Sequence, residues 1–217
     1  MRTALAPDWW DANAVRVEDG AERLDAATLL ASAERLQDGL RHRRVEVEDE
    51  RAGERLRAPF AAAGWLTERH AFMRREGDAI AAAAPVREVP FARTRALRLE
   101  WYRAADWWSE REAPLLDSQQ ALAERNGTRA FMAGEQGFAC LWTPPGRTAG
   151  EIEQVYVTPA WRGRGLGSAL VRAALAAGAR RVNWIVADDE DRPKRLYERL
   201  GFRTAWVLHL FTRLPSD

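Results

Sequence analysis

Apolar positions along this chain recur in two periods, and the periods alternate. Val155 and Val157 flank Tyr156 in a strand-like alternation, and Pro159, which cannot donate a backbone hydrogen bond, stops the strand near Thr158. Beyond it Leu166, Leu170, Val171, Ala174 and Leu175 recur at helical spacing, with Gly178 as a stop. Upstream, residues 1–23 read as an irregular lead with a short strand at Val15 to Val17. Leu29, Leu30, Ala33 and Leu36 form one helical face beginning at Asp25 and closed by Gly39. A strand over Arg43 to Glu48 precedes a helix from about Glu50 to Ala63 with Leu56 and Phe60 inward, although Pro59 argues against its continuity. Gly64 ends that helix, and Trp65 to Arg74 reads as a strand.

Glu76 to Pro85, with Gly77-Asp78 and a run of four alanines, reads as a linker, a short alanine helix being the competing reading. Val86 to Arg93 reads as a strand. Leu97, Trp101, Ala105 and Trp108 share a helical face, and a second helix follows Pro114 from Leu115 to Asn126, capped by Gly127. Three strands follow, at Thr128–Ala133, Phe138–Thr143 and Gly150–Thr158, with turns at Gly134–Gly137 and Pro144–Gly146. Past the glycine-rich segment come a strand at Arg181–Ala187, a helix from Arg192 to Leu200 stopped by Gly201, and a last strand from Phe202 to Arg213.

The pattern also repeats. Arg44-Val45 and Arg181-Val182 each begin a strand, and Gly64-Trp65 and Gly201-Phe202 each end the following helix, so one offset of 137 residues aligns both blocks without a gap. Coincidence between two ordinary αβ segments is the alternative to duplication.

Composition narrows the class. With 217 residues the chain can hold one large domain or one and a half ordinary ones. Its 33 basic and 32 acidic residues leave a net charge of +1, so nothing marks a nucleic-acid or membrane partner. Cys140 stands alone, no apolar run is long enough to span a membrane, and the first residues have no signal-peptide core, so a soluble, cytoplasmic protein is expected. His42, His70 and His209 are scattered and offer no metal-ligand spacing, so no metal is expected.

The candidate chemistry sits between strand and helix, at Arg162-Gly-Arg-Gly-Leu-Gly-Ser168. Glycines let the backbone approach an anion, and the first-turn amides of the next helix point at it. The lysine of a P-loop is absent, and Ser168 stands where a dinucleotide fingerprint needs its third glycine. Without a ligand, the segment is a tight turn before a helix. Arg162-Gly163-Arg164-Gly165-Leu166-Gly167 resembles the Gln/Arg-x-x-Gly-x-Gly/Ala signature of the GNAT acyltransferase superfamily, and Leu196-Tyr197-Glu198-Arg199-Leu200-Gly201-Phe202 resembles its closing Leu-Tyr-x-x-x-Gly-Phe block.

The resemblance covers about the last 130 residues and is specific over 151–202. It implies an α/β protein of GNAT fold, with a mixed, mainly antiparallel central sheet flanked by helices, and a smaller α/β half-domain before it. The expected domains are a degenerate GNAT-like half-domain at 1–75, a linker at 76–85 and an acetyltransferase domain at 86–217. It implies acetyl-CoA as cosubstrate, held by Arg162, Gly163, Arg164, Gly165, Leu166, Gly167 and Ser168 and by the amides of Val155 and Val157, on a strand parted from its neighbour by a bulge. Tyr197 would protonate the leaving thiolate, its other reading being a ring packed beside Leu200. Glu151 stands where some family members carry a general base. Glu153 shares its face if the strand stays regular, and a pair of solvated edge carboxylates is the alternative. Glu190 and Pro193 stand where the family often has asparagine and alanine, which puts one contact to the pantetheine arm in question. Trp101, Tyr102, Trp107 and Trp108 lie where the family builds its acceptor wall.

The expected activity is acetyl transfer to a primary amine by direct attack, with a catalytically silent acyl-CoA sensor as the alternative. A homodimer is compatible with either.

Overall fold

The computed structural model describes residues 9–18, 20–78, 80–81, 86–105, 108–178 and 181–214. The first eight residues, much of the expected linker and Trp107 lie outside these. The elements are β1 (Val15–Val17), α1 (Ala26–Leu36), β2 (Arg43–Val47), α2 (Glu50–Ala62), β3 (Leu66–Glu76), β4 (Arg87–Val89), α3 (Arg95–Arg103) and α4 (Pro114–Asn126). They continue with β5 (Arg129–Met132), β6 (Gly137–Trp142), β7 (Ala149–Val157), α5 (Leu166–Gly178), β8 (Val182–Asp188), α6 (Arg192–Arg199) and β9 (Arg203–Arg213). No helix among the described residues is long and apolar enough to cross a membrane.

Two compact units emerge. One comprises Met1–Phe72, Asp188–Asp191 and Trp206–Asp217; the other comprises Met73–Ala187 and Arg192–Ala205. Boundaries drawn along the chain at 75 and 86 differ from this division. Sheet pairing follows hydrogen bonds and not chain order, so most of β9 joins the residues that open the chain.

In the first unit the strand order is β1-β2-β9-β3, with β1 parallel to β2 and β2 antiparallel to β9 through Val45↔Phe211. Val45, Val47, Leu56, Phe60, Trp65 and Phe211 form its core with Leu29 and Ala33 of α1. Asp25 caps α1 by accepting from the Thr28 amide at 2.7 Å. The helix ends at Leu36, which is 51% exposed, so that leucine is not part of the inward face. α2 runs unbroken through Pro59. That proline is exposed and in the last turn, where a missing donor removes a single bond and its carbonyl still accepts from Ala63 at 3.1 Å.

In the second unit the order is β8-β7-β6-β5-β4, with β7 and β8 parallel and the other pairs antiparallel. One face carries Ala130, Met132, Phe138, Cys140 and Tyr156 against Leu97 of α3 and Ala123 of α4. On the other, α5 lies so close that a Cβ at Gly178 would meet Leu141 at 3.2 Å. The segment Val86 to Arg93 is a strand only over Arg87–Val89; Pro90 ends the ladder, and a 3-10 turn then buries Phe91. Arg98, without exposed surface, donates to Thr94 Oγ1, Gln119 Oε1 and Gln120 Oε1 and thereby joins α3 to α4.

The two blocks seen in the sequence share their element boundaries. β3 and β9 start and stop at the same offset of 137 residues, and α2 and α6 end at Ala62 and Arg199, again at that offset.

Candidate functional site

The site grows from an irregularity in β7. Phe138 pairs with Tyr156 and Cys140 with Glu153, so Ala139 of β6 faces two residues, Gln154 and Val155. Gln154 takes φ of +52°, the only described non-glycine residue in the left-handed region, which defines a bulge. An extra residue reverses the strand's alternation. Glu151, Glu153 and Tyr156 therefore share the face of Trp142, Cys140 and Phe138, whereas an unbroken alternation would place Tyr156 opposite the glutamates.

Beside the bulge the sheet opens. The parallel ladder to β8 covers Ala149↔Val182 through Ile152↔Ile185 and goes no further, although β7 runs to Val157. On the β6 side, the Thr158 amide donates to Gln136 O at 2.9 Å. By strand alternation the amides of Val157 and Val155 face the other edge, where the β8 ladder has ended. Arg162 Nε donates to Val157 O at 3.0 Å on that same edge.

The glycine loop closes the opening. Gly163 and Gly165 hold φ of +76° and +82°, and a Cβ on either would meet nothing within 4 Å. They are needed for backbone shape, and they border open space. The first helical hydrogen bond of α5 runs from the Ala169 amide to Gly165 O at 3.0 Å, so the amides of Leu166, Gly167 and Ser168 form the free first turn. Arg164 stacks over exposed Trp161 with its guanidinium carbon 4.6 Å from the ring centre. A Cβ on Gly167 would meet Leu196 Cδ2 at 3.3 Å and Val157 Cγ2 at 4.0 Å, which brings α6 to the loop and the strand end. Tyr197, next on α6, is buried, with its ring edge-on to Phe202 at 6.2 Å.

A coenzyme A molecule fits this arrangement. Edge amides suit an extended amide-bearing arm, and the loop's free amides and two arginines suit a pyrophosphate. Gln154 Oε1, buried at the bulge without a hydrogen-bond partner, leaves an acceptor for a ligand N–H.

Glu151 borders a cavity of about 380 Å³ with Pro144, Arg147 and Trp184. Burial holds its carboxyl above the ordinary carboxylate range. Glu153 is opposite Cys140, whose thiol is pushed up by burial and then by the Glu153 charge. Tyr156 donates to Glu100 Oε1 at 3.0 Å and stacks on Trp101 at 5.7 Å. Burial, followed by that carboxylate, pushes its phenol up to about 12.

The Acetyltransferase (GNAT) family model matches residues 93–202, 110 of the 217 residues. The chain belongs to this family.

Curated relatives include the mycothiol acetyltransferases of Nocardiopsis dassonvillei, 44% identical over 101 residues, and Nocardia farcinica, 39% identical over 88. These matches take in 45% and 41% of this chain, and the chain spans only 30% and 27% of those relatives' lengths. The glucosamine 6-phosphate N-acetyltransferase of Trypanosoma brucei brucei is 36% identical over 63 residues, 29% of this chain and 43% of that protein. Among solved structures, a functionally unknown conserved protein from Staphylococcus epidermidis superposes with a TM-score of 0.70 at 12% identity, over 97% of this chain and 88% of that one. A GCN5-related N-acetyltransferase from Sphaerobacter thermophilus gives 0.57 at 16% identity, over 88% and 66%. These structural likenesses establish the GNAT fold.

Within this GNAT fold, sequence reasoning missed three participants. Tyr156 was placed on the wrong side because a left-handed glutamine carries no local signal. Trp142 and Trp184 were not linked to Glu151 because only register unites them. Arg147 lay in what read as a plain turn. Trp101 and Tyr102 do stack with each other at 5.6 Å, and Tyr102 stacks with Trp108 at 5.8 Å, beyond the end of α3.

Proposed function

We propose that this chain transfers an acetyl group from acetyl-CoA to a primary amine by direct attack. The observation that carries the reading is the opening beside β7, where the Val155 and Val157 amides face an edge without a ladder and meet a loop of free amides. The bound cosubstrate supplies an activated thioester. Val155 and Val157 would orient its arm, and Arg162, Gly163, Arg164, Gly165, Leu166, Gly167 and Ser168 would hold its pyrophosphate. Glu151 would take a proton from the incoming ammonium, directly or through water, while Tyr197 returns one to the departing sulfur. Glu153 shares the Glu151 face, but Glu151 is the one bordering the cavity. The name of the trypanosomal relative, an N-acetyltransferase, supports an amine acceptor.

A raised carboxyl pKa has a signed consequence. Glu151 must be ionised to accept a proton, so kcat/KM should fall as pH drops through its raised pKa, above the usual 4.5.

We further propose that residues 1–75 are a degenerate copy of the C-terminal half with no coenzyme A site of their own. Calorimetric titration with acetyl-CoA should give one site per chain, and two equivalent sites would refute that. Thiol release from acetyl-CoA across a panel of primary amines tests the main reading. Tight acetyl-CoA binding with no amine-dependent thiol release would overturn it in favour of a silent acyl-CoA sensor.

A further inference from the structure

Glu151 does not face its cavity alone. Register sets Trp142 of β6 on one side of it and Trp184 of β8 on the other. The Trp142 indole N–H is buried and takes no hydrogen bond. At the rim, Pro144-Pro145-Gly146-Arg147 forms a tight turn closed by the Arg147 amide donating to Pro144 O at 3.1 Å. Gly146 at φ +71° after a proline is the type II pattern, in which both central residues are rigidly specified. That turn fixes where Arg147 leaves the backbone, at the wall of the cavity it shares with Glu151 and Trp184.

Arg147 and Glu151 line one cavity, yet no ion pair joins them, and among the described residues neither has another ion-pair partner. A carboxylate alone would suit any cation. A guanidinium a few residues away repels a simple cation and favours a ligand that carries both signs. Indole faces beside the carboxylate suit an ammonium, and a planar fork of donors suits a carboxylate or a phosphate. The volume of about 380 Å³ is that of a small-molecule pocket.

We propose that this pocket receives the acceptor and selects a small amine that also carries an anionic group, with the ammonium at Glu151 against Trp184 and the anion on Arg147. The proposal rests on the acetyl-transfer reading above and names the acceptor class for it. Matched pairs of similar amine basicity test it: O-phosphoethanolamine against ethanolamine, and 4-aminobutyrate against n-butylamine. The wild-type chain should prefer the anionic member of at least one pair by roughly five- to tenfold in kcat/KM, the scale of one partly exposed charge-assisted contact. In Arg147→Ala that ratio should fall to near one, and Arg147→Lys should restore part of it. Calorimetric titration of the same pairs in the presence of coenzyme A reads binding without turnover. Arg147-dependent binding of the anionic member without acetyl transfer upholds the pocket and overturns the enzymatic reading. Acetyl transfer with no preference, or a preference that survives Arg147→Ala, overturns the pocket and leaves acetyl transfer standing. Failure of both members of both pairs to bind or react also overturns it.

Discussion

Two helix ends in this chain are the same structure with one atom's difference in chemistry. At the end of α2 the Trp65 amide donates to Phe60 O at 3.1 Å and the Gly64 amide to Ala61 O at 2.9 Å; at the end of α6 the Phe202 amide donates to Tyr197 O and the Gly201 amide to Glu198 O, both at 3.0 Å. Both glycines are left-handed, at φ +79° and +88°. This is the Schellman stop, in which a ring three residues before the cap packs on the ring that follows the glycine. Phe60 meets Trp65 edge-on at 5.1 Å, as Tyr197 meets Phe202 at 6.2 Å. Because Phe60 performs the stop with no hydroxyl, the stop cannot be the reason for the hydroxyl of Tyr197. What surrounds the two blocks differs as well: β7, the glycine loop and α5 precede the second, and no such loop precedes the first.

The comparison can be broken first at its structural half. Phe60 is fully buried between Trp65 and Phe211, the latter stacked at 4.3 Å. Phe60→Ala should destabilise the protein by about 3–5 kcal/mol, transfer and cavity contributions together. Denaturant titration checks this, and a loss under about 1 kcal/mol would mean the shared stop is not held by its ring pair.

Phe60→Tyr asks whether the first block tolerates the second block's atom. Its ring has no exposed surface, so the added hydroxyl would enter a site built for carbon. A cost of about 1–3 kcal/mol is expected, with no gain in acetyl transfer. A variant as stable as wild type would reveal a hydrogen-bond partner waiting there.

The reciprocal change sharpens the comparison. Tyr197→Phe keeps the ring of the helix stop and removes only the oxygen. Turnover should fall at least about tenfold, near 1.4 kcal/mol in barrier, while melting temperature and acetyl-CoA affinity barely move. An unchanged single-turnover rate would make Tyr197 a second Phe60 and leave the proton to water.

The smallest effect concerns the strands that follow. At the common offset His209 on β9 corresponds to Phe72 on β3. His209 is fully buried, neither ring nitrogen has a hydrogen-bond partner, and a Cβ on Gly53 would collide with its ring at 2.3 Å. Burial, then the charge of Arg69, holds its pKa below the ordinary 6.5; Glu54 and Glu50 oppose that and Arg57 reinforces it. The unfolded chain therefore binds a proton as pH falls below about 6.5 while the folded chain does not. Stability should drop from there down to the depressed native value and level off below it. His209→Phe should flatten the slope of melting temperature against pH between 7 and 5, leaving the part due to His70, which burial also depresses. An identical slope in the variant would assign the titration elsewhere.

What the amino-acid sequence determined by itself were the parts whose causes lie within a few residues. The stop at Gly201 that places Tyr197, the capped start of α1 at Asp25 and the glycine loop with its following helix each follow from local sterics and from amides that need an acceptor. The family resemblance is concentrated in those segments for the same reason. Only the tertiary structure decided which side chains meet. The left-handed Gln154 moved Tyr156 onto the glutamates' face, where it bonds Glu100, 56 residues away. Pairing of β7 with β8 put Trp184 beside Glu151, and most of β9 joined the first unit. Register has a physical cause that no short window contains, because a strand is placed by the ladder it joins and a slip of one residue turns every side chain over.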